Sequence, residues 1–399
     1  MSLRLAVAFA LIAPCALGGC YRSHRIGEDV PSPDPSPDAG YDAGRDAFVE
    51  PPPECWVLTE GPTYLTDPPP LAYAGSLLRV GGEVLLGYAS TPRSDVRIPR
   101  TIAHLDDRGR PIGFEDVFEP PDRQFGRAME LTDTPMGVLA SSYSYDRGCE
   151  MRILGRPVVQ LTDEFCDKPR VDPDGGIMIN LRGIGPDLPN RTFARVERLY
   201  PRPVLVDGTR GLFGDAWSKD YQALDAERVF MVMADRDGGP ISAGIIHWRT
   251  GERDVFPIRE PPTIARRFRL LRREYGWLFG WIEEQPDGTF ELYLMPLDPA
   301  GHPLEEPSHP GVGAVPETAW QMVDRMGGLV IVYTDGEQVR MASVDERLRL
   351  SASTSTVARV PNTDDMQVVV LPDGGVLVSF SADVGDGDRV GTLRADCFD

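Results

Sequence analysis

An apolar strand following a tight turn recurs seven times along this chain. The copies are EVLLGY (83–88), GVLASS (137–142), GIMINL (176–181), VFMVMA (229–234), GWLFGW (276–281), GLVIVY (328–333) and GVLVSF (375–380). Val84 to Val376 covers 292 residues in six steps, a period of about 49. A period sustained at that length means one supersecondary unit stacked on copies of itself. A second strand keeps the same register: RTIAHLD (100–106), CEMRILG (149–155), RTFARVERL (191–199), ISAGIIHW (241–248), TFELYLMPLD (289–298), QVRMASVD (338–345) and RVGTLRAD (389–396). Turns such as DDRGRP, DPAGHP and RTGERD close it, and a short segment such as GFEDVF follows. A segment before the Gly turn, such as MQVVVL (366–371), completes the unit. Four strands per unit, seven times over, predict an all-β fold: a seven-bladed β-propeller of four-stranded blades. A two-domain sandwich gives no reason for the period, and a β-helix uses shorter coils. The 41 Gly and 38 Pro also disfavour a helical bundle.

Residues 1–20 read MSLRLAVAFALIAPCALGGC. Arg4 precedes an apolar run from Leu5 to Leu17, too short to span a bilayer permanently. The LGGC at 17–20 resembles a bacterial lipobox, in which the chain is cut before the Cys and its thiol takes a diacylglycerol. That resemblance implies a signal peptide over 1–19, a lipid on Cys20 and an extracytoplasmic protein held to a membrane by its N-terminus. Tyr21 after the anchor, where many inner-membrane lipoproteins carry Asp, points by the same resemblance to the outer membrane. Residues 20–53, with PSPDPSPDAGYDAGRDAF and EPPP, are too poor in large apolar side chains to offset ordering entropy and predict a disordered stalk. The stalk resembles those of uncharacterised secreted β-propeller lipoproteins from GC-rich Gram-negative bacteria. Such a genome fits a chain whose only lysines are Lys168 and Lys219. The propeller is expected over 54–399.

Cys15 falls in the signal, which leaves Cys55, Cys149, Cys166 and Cys397 beside the anchor. Four Cys in an exported chain predict two disulfides with three possible connectivities. The blade register selects one. If the first strand of each blade runs from top to bottom, Cys149 and Cys166 both lie at the top. Cys397 ends the third strand of the last blade, at the bottom. CWVLTE (55–60) has no other role, so it is expected to supply the outer strand of blade seven and close the ring, which pairs Cys55 with Cys397. Closing so long a loop is worth roughly 5 kcal/mol at most in the chain-entropy model. The stalk then enters at the bottom, and the top face points away from the membrane.

Lys plus Arg number 41 against 61 Asp plus Glu, a net charge of −20. That excludes the basic footprint that nucleic acid needs, and the chain is read as a monomer. Aligning first strands on the Gly turns places Arg127, Lys168, Asp220, Arg266, Trp320 and Asp365 near the top rim of the channel, with Trp217 as a further stacking surface. The same residues also suit inter-blade salt bridges and a packed Trp. The histidines share no strand, and no Gly-x-Ser-x-Gly elbow presents a nucleophile. Acidic pairs Asp172/Asp174, Asp235/Asp237 and Asp386/Asp388 read as turn residues rather than calcium ligands, since none completes an EF-hand loop. No metal or cofactor is expected. The function read from these features is a binding module for an envelope or extracellular protein, peptide or glycan. The alternative is a carbohydrate-active propeller hydrolase or lyase, with calcium as its candidate cofactor and catalytic carboxylates drawn from different blades.

Overall fold

A computed structural model describes residues 55–398, apart from 67–70, 92–98, 119–128, 145–146, 183–190, 210–215, 236–238, 262–263, 313–318, 326–327, 352–353 and 386. Cys20 and Arg127 therefore lie outside the described residues. Those described contain strands and no helix, arranged as a seven-bladed β-propeller. Each blade is an antiparallel meander. Blade one, for example, pairs Leu71–Val80, Glu83–Thr91, Arg100–Leu105 and Pro111–Phe118 in that order. The innermost strands of blades two to six are Glu130–Thr134, Phe165–Val171, Ala216–Ala223, Ala265–Arg273 and Trp320–Arg325.

The second strand of each blade is the apolar segment that revealed the repeat. In Gly276–Glu284 the first eight residues are all buried, because both faces of the sheet are covered by neighbouring blades. Outer strands behave differently: Pro111–Asp116 alternates between half-buried and exposed, as expected where only part of one face is covered. Seven apolar layers lie between successive blades. The layer between blades four and five stacks Phe230 on Trp277 at 4.5 Å and Phe279 on Trp281 at 4.7 Å. Each such side chain contributes about 1.5–3 kcal/mol by leaving water.

The third-to-fourth turn is built by aspartate. Asp106 Oδ1 accepts the N–H groups of Arg108 and Arg110 at 2.9 and 2.8 Å, and Asp298 and Asp345 repeat the arrangement in blades five and six. A side-chain acceptor placed two to four residues before its donors fixes the reversal locally. In DPDGG, Asp172 Oδ1 accepts from the Asp174 and Gly176 N–H groups at 2.9 Å each, and its Oδ2 accepts from Arg195 Nε at 2.6 Å. Those carboxylate oxygens serve the turn and one ion pair.

Blade five departs locally from the four-strand pattern. It has three strands, Ala265–Arg273, Gly276–Glu284 and Phe290–Leu297, and the outer place is held by bridges from Leu294 to Ser308 and Leu297 to Pro303. Pro299, Pro303, Pro307 and Pro310 each lack the N–H a ladder requires, so this segment cannot pair continuously.

The ring closes as the register requires. Blade seven combines Thr363–Val370, Val376–Asp383 and Asp388–Cys397 with the N-terminal strand Trp56–Tyr64. Trp56 pairs with Cys397, and Cys55 and Cys397 form a disulfide across a sequence separation of 342. Cys149 and Cys166 form the second, joining blades two and three at the other end.

Candidate functional site

Each innermost strand belongs to its sheet through one neighbour only, so its outer edge of backbone groups lines the central channel. These strands start at the upper end of the ring. In blades one, three, four, five and seven they carry a bulge near that end, between Ala74 and Leu77, Asp167 and Arg170, Ala216 and Ser218, Arg266 and Arg269, and Thr363 and Met366. Two residues there oppose one on the partner strand, which re-aims the side chains that follow. Two bulge residues, Lys168 and Arg267, have φ of +45° and +56°, a left-handed conformation unusual for non-glycine residues.

Asp220, on blade four, is the hub of this rim. It is buried, and its Oδ1 lies 3.5 Å from both Lys168 Nζ and Arg170 Nη2 of blade three. The same oxygen accepts the Tyr221 N–H at 3.0 Å, while Oδ2 accepts the Leu270 N–H of blade five at 2.9 Å. Burial by itself raises the pKa of this carboxyl. The charges of Lys168, Arg170 and Arg269, with the Tyr221 N–H, outweigh burial and hold it below the ordinary aspartate value. Lys219 donates to Asn180 Oδ1 of blade three, so both lysines of the chain sit on this arc.

The rim continues blade to blade. Arg269 Nε donates to Gln321 Oε1 of blade six at 2.9 Å, and Gln321 Nε2 donates to the Met366 carbonyl of blade seven at 2.8 Å. Ser76 of blade one bonds the Met129 and Leu131 carbonyls at 3.1 Å each, and Thr132 reaches the Pro169 carbonyl of blade three at 3.3 Å. Burial pulls the Arg269 pKa down, opposed by Asp220, Asp365 and Glu130, with Arg267 acting in the direction of burial.

Of the rim residues expected from the sequence, the structure brings Lys168 and Asp220 together. Arg266 instead lies 4.0 Å from Glu284 within its own blade. Asp365 is exposed on the bulge of blade seven. Trp217 belongs to the innermost strand of blade four, but its side chain lies outside the described residues. Trp320 is 1% exposed and packs on Gly280, where an added Cβ would approach its ring to 2.7 Å. Its indole Nε1 has no hydrogen-bond partner among the described residues, and the Arg269 guanidinium stands 5.8 Å from its ring centre.

Arg269, Arg170 and Gln321 were not expected at the rim. The RRFR and DKPR stretches hint at the bulges, but the Gly-turn alignment counts straight through them. Among the described residues, no group of three or more His, Cys, Asp or Glu converges for a metal. A surface depression of about 310 Å³, lined by Ile258, Met295, Pro303, Leu304, Glu305, Glu306 and Pro307, lies outside blade five, away from the channel.

No protein-family model matches this chain, and no curated protein matches it. Solved structures do. Polysaccharide lyase Uly1 is similar over 86% of this chain and 93% of its own length, at 8% identity and a TM-score of 0.51. An α-L-arabinanase of Penicillium chrysogenum complexed with arabinobiose is similar over 86% and 97%, at 12% identity and a TM-score of 0.48. One prolyl endopeptidase is similar over 82% of this chain, which spans half of the peptidase's length, at 12% identity and a TM-score of 0.46. At such identities the likeness shows the propeller fold alone.

Proposed function

We propose that this protein is a lipid-anchored, extracytoplasmic binding module that takes its ligand at the upper mouth of the channel. The observation supporting it is the arc of cationic side chains on blades three to five, in a chain whose net charge is −20. Lys168, Arg170 and Arg269 converge around a single buried carboxylate, with Lys219 beside them on Asn180, on a ring whose lower end carries the N-terminal entry. A mouth built this way recognises and holds.

The chemistry at Asp220 weighs against the hydrolase alternative. A glycosidase needs a carboxyl kept protonated near neutral pH to act as general acid. Asp220 is held in the opposite state, and its oxygens already serve Lys168, Arg170 and two backbone N–H groups. Nothing in this arrangement frees it to deliver a proton.

The test is calorimetric titration of the full chain with envelope glycans and short peptides, repeated with Lys168→Ala and Lys219→Ala. A ligand lost in these variants, whose melting temperatures stay close to the parent's, supports the reading. Turnover of a glycan that stops on Asp220→Asn would replace it with the hydrolase. Cys20→Ser should release the protein from the membrane fraction. Retention there would remove the lipid anchor from the proposal.

A further inference from the structure

Two donor atoms beside the upper mouth have no acceptor among the described residues. Arg269 uses Nε on Gln321 and Nη1 on the Phe268 carbonyl, and its Nη2 makes no hydrogen bond among the described residues. Beside it the Trp320 indole N–H is buried without an acceptor. Lys168 Nζ, with three protons to donate, has Asp220 Oδ1 at 3.5 Å, an oxygen it shares with Arg170 and the Tyr221 N–H. The group these donors lack is an acceptor, and a carboxylate supplies one to Arg269 Nη2 and a second to Lys168 Nζ.

Resting on the binding-module reading, we infer that the upper mouth binds the free C-terminal carboxylate of a peptide. Two features select a peptide end over a polyuronate. The inner strands of blades seven and two contribute Asp365 and Glu130 at their upper ends and, among the described residues, no cation. A polyanion laid across the mouth meets those carboxylates and the overall charge of −20, whereas a single terminal carboxylate need touch only the cationic arc. The edges of the inner strands also offer backbone donors and acceptors of the kind an extended peptide satisfies.

The test uses the full chain and a mixed-sequence tetrapeptide library with an N-terminal fluorophore, prepared as free acid and as C-terminal amide, read by fluorescence polarisation. Oligogalacturonate serves as a competing probe. The free-acid library is expected to bind, and amidation to weaken it at least tenfold. Arg269→Gln should weaken the free acid about tenfold and leave the amide unchanged. Lys168→Ala, at a half-exposed side chain, gives the same reading if Arg269→Gln fails to fold. Equal affinity for acid and amide overturns the carboxylate inference, and the binding-module reading survives it if Lys168→Ala weakens both. Displacement by oligogalacturonate without peptide binding overturns the peptide assignment. Silence of the free-acid library at millimolar concentration overturns the inference outright. Silence of the amide, oligogalacturonate and neutral glycans as well overturns the binding-module reading with it.

Discussion

The seam at blades six and seven and the arc at blades three to five hold neighbouring blades together by different chemistry. At the seam, Trp56 is buried in a layer with Val330, Met341, Val378 and Phe380, and its indole N–H donates to Ser343 Oγ at 2.9 Å. A disulfide joins the two ends of the domain beside it. On the arc, charged side chains cross from blade to blade through Asp220 and Arg269, above the apolar layers rather than in place of them. The seam ties the N-terminal strand to the last two blades, more than 250 residues away in sequence, so its contacts serve closure. The arc joins blades already linked in sequence, so closure does not depend on its charges.

The sharpest test of that contrast is Cys55→Ser. Opening the long loop should cost up to about 5 kcal/mol, read by urea unfolding. A loss below about 1 kcal/mol would move the burden of closure from the covalent link to the Trp56 layer.

Asp220→Asn should cost less, about 2 kcal/mol, because Lys168 and Arg170 are partly exposed and can turn to water when their partner is neutralised. The pH dependence follows from the direction of the shift. A carboxyl held below its unfolded value contributes stability that is complete above about pH 4 and is lost as pH falls through the folded pKa. The parent should therefore lose stability below pH 4 more steeply than Asp220→Asn, and parallel acid limbs would remove Asp220 from the rim's energetics.

Tyr293, packed against the layer between blades four and five, offers a test from the alkaline side. Burial, with the Glu291 carboxylate accepting its hydroxyl at 2.9 Å, pushes its pKa up to about 12. Its contribution is present below about pH 10 and is lost as pH rises from there through 12. Tyr293→Phe should flatten the alkaline limb of the melting-temperature profile over that window, and an unchanged limb would contradict the assignment. The smallest effect belongs to Arg359, whose pairing with Glu337 at 3.7 Å joins side chains 78% and 71% exposed. Arg359→Ala should change stability by less than about 0.5 kcal/mol. A larger loss would mean that ion pairs count toward blade cohesion near the seam as well as on the arc.

The repeat, the closure and both disulfides were legible in the amino-acid sequence because each rests on a strong local signal. Gly turns punctuate the chain, second strands are apolar on both faces, and a cysteine stands at each end of the domain. The proline-rich stretch after Leu297 also signals a weak outer strand in blade five, although the period alone does not reveal it. The rim was legible only in part. Lys168 and Asp220 fall where the alignment puts them, but the bulge between Arg266 and Arg269 shifts the strand, so that Arg269 crosses to blade six and Arg266 stays with Glu284.

Residue order alone thus determined the architecture, because period, turn chemistry and cysteine position are properties of the chain that survive without any neighbour. Only the tertiary structure decided the site. A bulge depends on which strands pair, and whether Trp320 is a ligand surface or a packed ring depends on Gly280 of the adjacent blade lying beneath it.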